Sequence, residues 1–164
     1  MANEPIQVGG KLPDATLRVM TADGPAARTT AEIFGGKKVV LFAVPGAFTP
    51  TCNNTHLPSF LEMADQFRAK GIHTIACVAV NDVFVMDAWG KANGVGDRIT
   101  LLSDGNAEFT DAMGMAFDGS GHGLGTRSLR YSMLVEDRTV SAMDVEENPG
   151  TCDITRGANL LSKL

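Results

Sequence analysis

The sequence predicts an α/β protein with a mixed central sheet and helices on both of its faces, and three observations carry that expectation. The runs "KKVVLFAV" (37–44) and "GIHTIACVAV" (71–80) are too continuously apolar to face water on one side, which marks strands near the middle of a sheet. Between them Leu57, Phe60, Leu61, Ala64 and Phe67 recur at steps of three and four, the apolar stripe of a helix that stops at Gly71. Strands and helices then alternate to the end of the chain, which argues for parallel crossovers early and an antiparallel pair late.

In chain order, "ATLRVM" (15–20) reads as a first strand from its apolar and β-branched content, followed by the two central runs and the helix between them. Asn81 and Asp82 cap a shorter helix carrying Val83, Met86 and Trp89, which ends at Asn93 and Gly94. "RITLLSD" (98–104) is a strand and "NAEFTDAM" (106–113) a short helix; the glycine-rich "DGSGHGLGTR" (118–127) reads as a long exposed loop. "SLRYSMLVED" (128–137) and "TVSAMDVE" (139–146) form a hairpin, and "DITRGANLLSKL" (153–164) is a terminal helix.

At 164 residues the chain is expected to form one domain spanning 1–164. A domain of that size buries roughly 70% of the surface of its unfolded chain and needs no disulfide staple. It has no 18-residue apolar run and therefore no expected membrane span. The net charge of -5 is spread out, with no Lys/Arg cluster to neutralise a row of phosphates, so nucleic acid is not an expected partner. The opening "MANEPIQVGG" lacks the charged and apolar regions of a signal peptide, so a cytoplasmic location is expected. Three cysteines, none in C-x-x-C spacing, read as reduced thiols.

The chemistry concentrates in "PGAFTPTC" (45–52). Pro45 and Pro50 are incompatible with a continuing strand or a helix interior, so the segment is a loop at the carboxyl end of a strand, where open α/β sheets place their sites. Cys52 then falls in the first turn of a helix, whose free N–H groups and dipole favour a thiolate. Pro58 has no N–H for the carbonyl of Asn54, which predicts a distorted first turn able to unwind. The plain alternative is a Pro-Gly turn followed by a buried cysteine.

"PGAFTPTC" followed by "HLPSF" resembles the active-site signature P-x-x-x-T-x-x-C of the peroxiredoxins, in the form of the peroxiredoxin 5 (type II) subfamily. "VNDVFVMDAW" (80–89), "RYSMLVED" (130–137) and the closing "NLLSKL" agree with it, so the likeness covers essentially the whole chain. The resemblance implies a thioredoxin-like fold and reduction of hydrogen peroxide and alkyl hydroperoxides. On the family's pattern Cys52 is the nucleophile, Thr49 a hydroxyl for the bound peroxide, Pro45 a shield against water, and Arg130 the cation beside the thiolate. Arg127 competes for that last role. In-line attack of a thiolate on a peroxide needs donors aimed at the oxygens, and no metal or organic cofactor.

The attack leaves a sulfenic acid that must condense with a thiol before further oxidation. Cys152 lies near where relatives carry a resolving cysteine, although its spacing to "NLL" differs from theirs; otherwise it packs a loop. Without it, glutathione with glutaredoxin, or thioredoxin, supplies the reducing thiol, and the single-cysteine route is the expected one. The resemblance also implies a homodimer through the face bearing the active-site loops. Cys77 reads as core, and His56, four residues after Cys52, as a supporting hydrogen-bond partner. With His73 in a strand and His122 in a loop, no metal set is expected.

"GSGHGLG" misses the third glycine of a dinucleotide fingerprint at Leu124. A peroxide-sensing protein that passes oxidation to client thiols would use the same thiolate. A vestigial binding module conflicts with the intact Pro45, Thr49, Cys52 and Arg130, and a Cys/His hydrolase would lack an oxyanion hole and an oriented base.

Overall fold

The structure, a computed structural model, describes residues 4–164. Its first half comprises β1 (Thr16–Thr21), β2 (Gly24–Thr29), α1 (Thr30–Phe34), β3 (Lys38–Ala43), a π-helical turn (Cys52–His56), α2 (Leu57–Ala69), β4 (Thr74–Ala79) and α3 (Val83–Ala92). The second half comprises β5 (Thr100–Ser103), α4 (Glu108–Ala112), β6 (Ala116–Asp118), a 3-10 turn (Ser120–His122), β7 (Thr126–Ser128), β8 (Tyr131–Glu136), β9 (Thr139–Val145) and α5 (Gly157–Leu161). A seven-stranded mixed sheet runs β2-β1-β5-β4-β3-β8-β9, with β3, β4 and β5 parallel and the other neighbouring pairs antiparallel. The two continuous apolar runs are thus adjacent, and β4 is the middle strand.

Strand periodicity divides the core. Val39, Leu41 and Ala43 point to one face, where they pack with Leu17, Phe34, Phe109 and Met133 beneath α1 and α4. Val40, Phe42 and Val44 point to the other, where Leu57, Phe60 and Phe67 of α2, Trp89 of α3 and Leu160 of α5 cover them. Phe42, Phe60 and Phe67 stack in series, with centroids 4.1 and 5.8 Å apart. Cys52 and Cys77 belong to this second face.

The structure differs from the sequence reading in three places. "GPAART" is the edge strand β2, and Thr29 and Glu32 close a reciprocal capping box that starts α1. The glycine-rich segment stays an exposed loop over residues 119–125, with a 3-10 turn at Ser120–His122, but its ends are pinned by a short ribbon that pairs β6 with β7. The terminal helix is shortened to α5 because the amides of Asp153 and Thr155 donate to the Glu146 carboxylate. Gly157 opens α5 where any side chain would collide: a Cβ there would lie 2.5 Å from the Ser59 carbonyl oxygen, so α5 approaches α2 backbone to backbone. Among the described residues no helix is long and apolar enough to cross a membrane.

Candidate active site

β3 ends at Ala43, and after Val44 the chain turns through Pro45 to Thr49 before helix begins at Pro50. The turn is closed by two bonds to the Gly46 carbonyl, from the Thr49 amide at 3.3 Å and from the Thr49 hydroxyl at 2.7 Å. Phe48 occupies the position of that turn that requires a left-handed backbone, with φ of 64°, and its ring points outward, 53% exposed. The Asn81 side chain fixes the same loop from the β4–α3 connection by accepting the Ala47 N–H at 2.9 Å. A Cβ at Gly46 would lie 2.9 Å from the Arg127 guanidinium, so a larger residue here would have to displace the end of that side chain.

The predicted distortion at Pro58 takes the form of a π turn. Leu57 donates to the carbonyl of Cys52, five residues back, and Pro58 then occupies the start of α2, where a missing N–H costs little. Asn53 in the same turn is held from α3, its side-chain oxygen accepting the Trp89 indole N–H at 2.9 Å and the Asn93 amide at 3.1 Å.

Cys52 is fully buried, and its sulfur accepts a hydrogen bond from Arg130 Nη2 at 3.0 Å. Arg130 lies immediately before β8 and is itself only 1% exposed. Its other nitrogens are also engaged. Nε donates to the Pro149 carbonyl at 3.1 Å, and Nη1 lies 2.9 Å from His56 Nδ1. A guanidinium has only donors, so Nδ1 accepts and the imidazole proton sits on Nε2, where it donates to the Thr155 carbonyl at 3.0 Å. Burial, reinforced by the adjacent Arg130 charge, pushes the imidazole down to about 3, so His56 is neutral at physiological pH. The result is a buried cation whose uncommitted partner is a sulfur, an arrangement suited to holding a thiolate.

Among the sequence-predicted residues, Cys52 and Arg130 are in direct contact, and Pro45 and Thr49 form the loop that leads into the Cys52 turn. Arg127, the competing cation, donates to the Pro45 carbonyl at 3.4 Å and to the Leu124 carbonyl at 2.8 Å, which places it on the loop. Cys152 lies in the 148–156 segment beside the site, and the Thr51 hydroxyl donates to the Gly150 carbonyl of that segment at 2.8 Å. Cys152 is buried with its sulfur 3.6 Å from the Thr155 hydroxyl, and burial pushes its thiol up. Cys77 is buried and pushed up more strongly for the same reason. His73 accepts the Lys38 amide and His122 stands in the 3-10 turn, both away from the site. The sequence reading missed Glu146, Pro149 and Thr155, whose bonds support the arginine and histidine; Thr155 meets His56 across 99 positions and Pro149 meets Arg130 across 19, while Glu146 binds an irregular segment with no periodicity to mark it.

A family model, Redoxin, matches residues 7–161. Peroxiredoxin-2B of Arabidopsis thaliana is 38% identical over 98% of this chain and 99% of its own length. The chain belongs to the peroxiredoxins. Its sheet and flanking helices are the thioredoxin-like fold of that family. Among type II peroxiredoxins, rice Peroxiredoxin-2E-2, named as chloroplastic, is 54% identical over 87% of this chain, which spans 65% of that protein's length. Reduced Prx3 of Vibrio vulnificus, solved in complex with H2O2, superposes with a TM-score of 0.91 at 46% identity, covering 96% of this peroxiredoxin and 98% of Prx3.

Proposed function

We propose that this peroxiredoxin is a thiol-dependent peroxidase that reduces hydrogen peroxide and alkyl hydroperoxides at Cys52. The observation that carries the reading is the 3.0 Å bond from the Arg130 guanidinium to the Cys52 sulfur, made inside a water-poor site. The thiolate attacks one peroxide oxygen in line, forming S–O while O–O breaks. Sulfur is oxidised by two electrons, and the departing oxygen takes up a proton to become water or an alcohol. Arg130 donates to the developing charge, where a preorganised donor has its largest effect. The Thr49 proton is committed to the Gly46 carbonyl, so its hydroxyl oxygen presents lone pairs that accept the O–H of an incoming peroxide. Pro45, buried at the strand end, limits water at the sulfur. The Prx3 structure holding H2O2 supports this choice of substrate.

The sulfenic acid of Cys52 condenses with a thiol, releasing water and forming a disulfide that a second thiol reduces. Cys77 and Cys152 are both buried thiols pushed up by burial, which favours an external thiol, glutathione with glutaredoxin, over an internal one or thioredoxin. Three free thiols fit a reducing compartment, here the cytoplasm. Exposed Phe48, in the loop after β3, and exposed Phe84, in the first turn of α3, flank the Ala47–Asn81 bond and supply an apolar surface for a second copy of the chain beside the site. Phe84→Glu is expected to convert a dimer to a monomer in light scattering; a native protein that is monomeric at all concentrations removes the dimer from the proposal.

Mass spectrometry without reductant after one equivalent of hydrogen peroxide tests the chemistry. Native chain and Cys152→Ser are both expected to carry a Cys52 sulfenic acid that glutathione caps equally. A Cys52–Cys152 disulfide in the native chain would replace the external route by an internal one. The absence of oxidation at Cys52 would remove the peroxidase reading.

A further inference from the structure

The 148–156 segment has no regular secondary structure until α5, yet two of its carbonyls make the bonds that hold the site together. Its own order therefore depends on an anchor. Glu146 supplies one. This carboxylate is 6% exposed, and a single oxygen, Oε2, accepts from the Asp153 amide at 2.8 Å, the Thr155 amide at 2.9 Å and the Thr155 hydroxyl at 2.7 Å. Three donors converging on one oxygen tie the segment to a single acceptor point. The Glu146 amide meanwhile donates to the Arg130 carbonyl at 3.0 Å, so the residue grips the arginine's backbone and the segment that receives its side chain.

We propose that Glu146 is a positioning residue for the Cys52 thiolate, fixing the 148–156 segment so that the Pro149 and Thr155 carbonyls aim Arg130 and His56 at the sulfur. This rests on the reading of Cys52 as the nucleophile. Arg130 Nε, Nη1 and Nη2 each meet a different partner, so the guanidinium plane is set by three points, and two of them trace to the anchored segment. Release of the anchor frees both carbonyls, and the long arginine side chain loses the orientation that places Nη2 on sulfur. The Glu146 charge by itself acts in the opposite direction, because an anion near Arg130 weakens the cation's hold on a thiolate. The two effects give opposite results on mutation, so the proposal can be overturned.

The test is the rate of iodoacetamide capture at Cys52, resolved by mass spectrometry on the full chain at pH 7, which requires no peroxide. Glu146→Ala is expected to slow capture about tenfold, while Glu146→Gln, which keeps an oxygen in place for the three donors, stays within about threefold of native. In an Arg130→Met background Glu146→Ala is expected to add no further loss, since a positioning residue acts only through the group it positions. Capture by Glu146→Ala at or above the native rate overturns the proposal. So does an equal tenfold loss with and without Arg130, which marks a general loosening of the fold. If Glu146→Ala has melted at the assay temperature, Thr155→Val, which removes one of the three bonds, is judged by the same two criteria. A native chain that shows these ratios but leaves hydrogen peroxide unreduced would sink the peroxidase reading and keep the positioning role.

Discussion

Cys52 and Cys77 lie in the same apolar layer, both without exposed surface, one in a π turn at a helix start and the other in the middle strand of the sheet. Burial alone disfavours a thiolate, and at Cys77 it is the leading influence, pushing the thiol well up. At Cys52 the same layer contains a guanidinium N–H 3.0 Å from sulfur. The contrast teaches that exposure does not distinguish these two thiols; the partner does. It also explains why Arg130 is itself buried and bonded at every nitrogen, since an unpaired cation at that depth would cost several kcal/mol.

The largest test of this contrast removes the partner. Arg130→Met is expected to slow peroxide oxidation of Cys52 by about 10²–10³-fold in stopped flow, the usual cost of a preorganised donor to a developing charge. A native rate in that variant would make the two thiols equivalent. A middle-sized effect concerns His56, the acceptor behind Arg130. Its folded value of about 3 lies below the ordinary 6.5, so between these pH values the unfolded chain binds a proton that the native chain does not. Stability from this group is therefore complete above about 6.5 and falls on acidification through that window, with a slope approaching about 1.4 kcal/mol per pH unit. His56→Gln is expected to flatten that part of the urea-derived stability profile; an unchanged slope would place the imidazole outside the buried network. The smallest effect is at the packing thiol. Cys77→Ala is expected to leave the peroxide rate within about twofold while lowering stability by about 1 kcal/mol. A large rate loss there would give Cys77 a chemical role.

The parts of the fold visible in the sequence are those with strong periodicity: the continuous runs of β3 and β4 and the stripe of α2. Pro58 even announced the irregular turn, because a missing N–H must be accommodated locally. β2 was hidden because an edge strand answers to one neighbour only, and "GPAART" opens with residues that ordinarily break strands. The β6–β7 ribbon was hidden because its strands are three residues each, too short for a periodic pattern, and flank a glycine-rich loop. In the site, the signature pointed to the cysteine loop and to Arg130, and the structure brings Arg130 onto the Cys52 sulfur. The supports were not, because His56 meets Thr155 across 99 positions and Arg130 meets His56 across 74, separations at which a single sequence carries no pattern.

The bond from Trp89 to Asn53 makes the turn at Cys52 optically visible. Trp89 is the only tryptophan in the chain, and its indole N–H is tied to the residue that follows Cys52. Indole emission responds to the loss of that hydrogen bond and to the arrival of water. Any rearrangement of the turn that breaks the bond is thus recorded, without a label and in real time, in the protein's own fluorescence.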